Sequence, residues 1–125
     1  MHLNHVTLIV SNLQESLLFY QTLGLNLIVM SAPRYARLTL PDSDDTLSLE
    51  VTGDPRNESR VQVYLECENL DKVYEELKTK GLVFEQEPKD MDYLWREARL
   101  RDPDGHQIRL YFAGDNRLNP PWRLK

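Results

Sequence analysis

The 125-residue chain predicts an α+β domain made of two copies of a β-α-β-β-β unit. Three observations carry this expectation. A strand-to-helix passage near the start recurs 57 positions later, from Asn12 to Asn69 and from Gly24 to Gly81. Three β-like runs follow each helix. Proline, aspartate and glycine turn signals separate the last two runs of each half. Hydrophobic residues at 41% and charged residues at 28% match a globular chain, and the length suits one hydrophobic core.

The first element is His5-Val6-Thr7-Leu8-Ile9-Val10, rich in β-branched residues. Asn12 then provides an N-cap with Glu15 at the third helical position, a relative of the capping box. Leu13, Leu17, Tyr20 and Leu23 keep helical spacing on one face, and Gly24 stands where a left-handed C-terminal residue is wanted. Runs 25–30, 34–40 and 46–52 read as strands, the last two joined by the Pro41–Asp45 turn.

The second half repeats the plan, with a strand over 61–67 and a helix opened by Asn69. The apolar face of that helix is Leu70, Val73, Tyr74 and Leu77. Strands are expected over 82–87, 93–101 and 106–112, with Asp102-Pro103-Asp104-Gly105 as the last turn. Four strands under one helix leave the other sheet face to bury, and pairing two such sheets predicts a half-open barrel around a cleft. Residues 1–55 form the first repeat, 53–60 a linker, 61–113 the second repeat and 114–125 an extended tail. Pro120-Pro121 bars that tail from the sheet, and Trp122 is expected to dock.

A net charge of −5 without a basic stripe argues against nucleic acid as a partner. No apolar run approaches the roughly 20 residues of a membrane span, and no leader is read at the start, so a cytoplasmic protein is expected. Cys67, the only cysteine, reads as a small buried residue rather than a nucleophile. His106 and His2 read as exposed.

His5-(x)4-Val10 leading to Phe19-Tyr20-(x)3-Gly24, together with Asp102-Pro103-Asp104-Gly105-His106-(x)3-Leu110, resembles the vicinal oxygen chelate superfamily. That superfamily contains glyoxalases, bleomycin-resistance proteins and extradiol dioxygenases. With the repeat, the resemblance covers residues 1–113. It implies a glyoxalase-like fold and four positions that supply metal ligands in metal-dependent members. On this chain those positions fall on His5, Glu50, Gln62 and Arg109. The first three suit Ni, Zn, Mn or Fe, whereas a guanidinium donates hydrogen bonds only and cannot ligate. Arg109 is therefore expected to form a salt bridge with Glu50, or to bind a ligand's carboxylate or phosphate.

Three readings follow from the resemblance. In the first, a metal-assisted lyase, isomerase, transferase or dioxygenase uses His5, Glu50 and Gln62 on a small oxygen-bearing molecule. In the second, a metal-free, drug-sequestering protein of bleomycin-resistance type holds its ligand in a cleft between the repeats. A metal-free enzyme with Glu50 or Glu66 as base and Arg109 steadying an anion is the third. By strand parity Tyr64, Glu66 and Tyr111 line the same face, and Tyr93 with Trp95 form either a pocket wall or a subunit contact. Exposed strand edges further predict a homodimer.

Overall fold

The computed structural model describes residues 1–53 and 59–125, so Asp54–Glu58, most of the expected linker, lie outside the described residues. The chain divides into two compact units, Met1–Glu58 and Ser59–Lys125. Each holds one four-stranded mixed sheet with one α-helix packed on it, the β-α-β-β-β plan twice over.

In the first unit, β1 (His5–Ile9) leads to α1 (Leu13–Leu23), followed by β2 (Asn26–Ser31), β3 (Tyr35–Thr39) and β4 (Thr46–Glu50). The sheet order is β1-β4-β3-β2, with β1 parallel to β4 and the other pairs antiparallel. Leu13, Leu17, Tyr20 and Leu23 of α1 are buried, as the periodicity predicts. Leu8, Ala36, Leu38, Leu47 and Leu49 are buried on the sheet. These alternate with residues of the opposite face, among them His5, Arg37 and Ser48.

The second unit runs β5 (Gln62–Glu66), α2 (Leu70–Thr79), β6 (Phe84–Asp90), β7 (Arg96–Arg101) and β8 (Gln107–Phe112), in the order β5-β8-β7-β6. Its buried core contains Leu70, Tyr74, Leu77, Ala98, Leu100, Ile108 and Leu110. The exit from both helices is the same. Leu25 N–H bonds Tyr20 O and Leu82 N–H bonds Leu77 O, while Gly24 and Gly81 at positive φ donate to Gln21 O and Lys78 O. This double bond pattern needs a left-handed residue just past the helix, which glycine adopts without a Cβ clash.

Two expectations are corrected. The strand expected over 93–101 starts at Arg96, because Met91–Leu94 is a turn with Leu94 at φ 67. Beyond β8 the chain is turned rather than extended. Gly114–Arg117 forms a 3-10 helix, η1, and Asn119 N–H and Arg123 N–H close further turns. The start of this tail docks, with Trp95 Nε1 donating to Asn116 O at 3.3 Å, but Trp122 is 56% exposed. Among the described residues no helix is long and apolar enough to cross a membrane. Cys67 is free and half-buried, and burial pushes its thiol pKa up, away from nucleophilic character.

Candidate ligand-binding site

On the non-helical face of the first unit, a polar network joins three strands. His5 Nε2 lies 3.2 Å from Ser48 Oγ and 3.3 Å from Thr7 Oγ1, and His5 Nδ1 bonds Thr46 Oγ1. Ser48 Oγ, fully buried, is 2.6 Å from Tyr35 Oη, which accepts from Arg37 Nε at 2.9 Å. The bond with Ser48 is the main cause holding the Tyr35 phenol below its ordinary pKa, with the Arg37 guanidinium adding to it.

The metal set expected on this unit does not assemble. His5 pairs with Thr46 and Glu50 with Ile9, so four residues of strand, about 13 Å, separate them along the ladder. Side chains that stand off a sheet do not converge over that distance. Both ring nitrogens of His5 are also engaged. The ladder further corrects the repeat alignment. Gln62 pairs with Gln107 as His5 pairs with Thr46, which makes Ser48, not Glu50, the counterpart of Arg109. Among the described residues no group of three or more His, Cys, Asp or Glu could hold a metal ion. A serine and an arginine at the two matching strand positions are a poor donor set for a divalent cation.

The second unit gathers a different set. Arg109 Nη1 donates to Glu97 Oε1 at 2.7 Å, with the arginine side chain 12% exposed and the glutamate not exposed at all. Tyr93 Oη donates to Glu97 Oε2 at 2.6 Å, so both carboxylate oxygens are occupied and no uncompensated charge is buried. The guanidinium stands 5.6 Å from the Tyr64 ring centroid. Tyr64 meets Trp95 and Tyr111 edge-on, at 5.9 and 5.5 Å, while Trp95 and Tyr111 stack at 4.8 Å. Tyr93 meets Trp95 at 5.9 Å. Tyr64 Oη also donates to Gln62 Oε1 at 3.3 Å.

Tyr64, Trp95 and Tyr111 therefore meet, with Arg109 and Gln62 against Tyr64. Glu66 is engaged elsewhere, since its Oε2 accepts from Ala113 N and Gly114 N and so secures the start of η1. The pairing of Arg109 with Glu50 is replaced by one with Glu97, a residue that no sequence motif singles out. Counting back along β7 from the Asp102–Gly105 turn is the signal that could have found it.

The profile of the Glyoxalase/Bleomycin resistance protein/Dioxygenase superfamily matches residues 2–110. The chain belongs to this superfamily. The chain is 26% identical over 126 residues to the uncharacterized protein YraH of Bacillus subtilis (strain 168), covering 89% of this chain and 98% of that protein. A superfamily member from Sphaerobacter thermophilus is similar in structure, with a TM-score of 0.73 at 24% identity, over 90% of this chain and 97% of the other. A bleomycin-binding protein crystallised with bleomycin is also similar, with a TM-score of 0.73 at 20% identity, over 90% and 98% of the two chains. At such identities the structural likeness shows the fold, and the superfamily's chemistry varies from member to member.

Proposed function

We propose that the protein is a metal-independent binder of a small planar, oxygen-bearing molecule, held on the aromatic face of the second unit. The observation that carries this reading is the cluster of Tyr64, Trp95 and Tyr111, with Arg109 over the Tyr64 ring. Tyr64 and Tyr93 are each 39% exposed, so rings that would normally be covered remain open to a ligand. Glu97 is held by two hydrogen bonds and Glu66 by backbone donors, which argues for a binding role over acid–base catalysis by either. The likeness to a bleomycin-binding protein supports the same reading.

The test is calorimetric titration of chelator-treated protein with 2-naphthylmethanol, a neutral planar aromatic, and with bleomycin. Heat of binding is expected for the naphthyl probe without added metal. Trp95→Ala should weaken it roughly fivefold, the value of one aromatic contact at about 1 kcal/mol. Binding that appears only after Ni or Zn is added would restore the metal-dependent reading. We further propose a homodimer, on the grounds of the apolar edge strand β2.

A further inference from the structure

Across the β7–β8 ladder Arg99 stands directly opposite Arg109. Like charges in that relation destabilise a sheet, so folding alone gives no reason for the pair. The carboxylates nearby do not balance it. Glu97 is bound to Arg109 and also receives the Tyr93 hydroxyl. Glu85 is taken by Arg101, the next residue on the same face of β7, at 2.9 Å. Arg99 is half-buried, and its side chain makes no hydrogen bond or ion pair among the described residues. Arg109 Nε is buried with no hydrogen-bond partner. Of these two facing arginines only Arg109 has a carboxylate partner, which leaves a surplus positive charge and unused donors beside an aromatic wall.

We propose that Arg99 and Arg109 form the recognition site for the anionic group of the ligand, and that the ligand class is an aromatic carboxylate. The inference rests on the binding role proposed above and adds to it the sign of the ligand's charge. A planar carboxylate matches the guanidinium fork, and its ring would meet Tyr64 and Trp95 through the edge and face contacts aromatic pairs prefer. The anion removes the repulsion between the two arginines, so part of the binding energy is relief of a strain already present in the sheet.

The experiment compares three probes of one ring by calorimetry, in chelator and at low salt: 2-naphthoate, 2-naphthylmethanol and 2-naphthylmethylammonium. Naphthoate should bind at least tenfold tighter than the alcohol and the ammonium weakest. Arg99→Gln should erase the naphthoate advantage and leave alcohol binding in place, whereas Arg99→Lys should keep part of it; circular dichroism checks that both variants fold. If naphthoate binds no tighter than the alcohol, or Arg99→Gln leaves the advantage intact, this inference is overturned while the aromatic binding role stands. If none of the three probes binds, both fall.

Discussion

Tyr93, in the turn before β7, shows how a side chain's chemistry is set by the residue it meets on the next strand. Burial and the hydrogen bond to Glu97 push its phenol up to about 12, because a tyrosinate there would face a carboxylate at contact distance. Its proton is thus held more tightly folded than unfolded. The stabilisation is complete below the ordinary tyrosine value near 10 and is lost as pH rises from about 10 through about 12. Absorbance titration at 295 nm should show one tyrosine ionising last, near 12. Glu97→Gln should bring that step down, and an unchanged step would mean that Glu97 does not set it. The sequence made Arg109 legible as a cation on the non-helical face of β8. Its partner was not legible, because Glu97 sits diagonally across the ladder, opposite Tyr111, and a diagonal neighbour depends on register that composition does not encode.

Among the elements, the two helices test how faithfully a repeated sequence makes a repeated structure. Their C-terminal bond patterns agree residue for residue, but their N-termini do not. Asn12 Oδ1 accepts from Glu15 N at 3.0 Å, whereas Asn69, at φ −109 and ψ 61, makes no side-chain cap bond. Asn12→Ala should therefore cost about 1 kcal/mol in urea unfolding, the usual value of a working cap, and Asn69→Ala a few tenths. Equal losses would show that the second cap also works in solution. The same contrast explains which parts of the fold were readable. Caps, exit glycines and apolar spacing are local signals, so the helices fell close to their expected places. The offset between the halves is 57 at β1 and β5 but 61 at β4 and β8, because the connection leading into β7 is longer. Matching Glu50 with Arg109 implies an offset of 59, whereas the ladders keep 61, so the counterpart of Arg109 falls two positions earlier, on Ser48. The turn at Leu94 shifted the start of β7 in the same way.

For the whole molecule, the repeat plan was legible because burying alternate residues under an amphipathic helix constrains composition along every strand. What the plan leaves open is how exposed edges are covered. β2 ends its sheet, and Leu27, Ile28, Val29 and Met30 are 37, 53, 38 and 43% exposed. Monomeric proteins protect such an edge with lysine, proline or a short strand, and this six-residue strand, Asn-Leu-Ile-Val-Met-Ser, has none of these. A second copy of the chain offers the same apolar strand in return, and a twofold axis lets each cover the other. Sedimentation velocity at tens of micromolar should therefore give a dimer, and Ile28→Lys should shift it to monomer by placing two charges at one seam. Ile28 is more than half exposed, so the lysine should weaken association rather than unfold the unit. A wild-type monomer at that concentration would leave β2 exposed in solution and sink the dimer proposal, without touching the binding role proposed for the second unit.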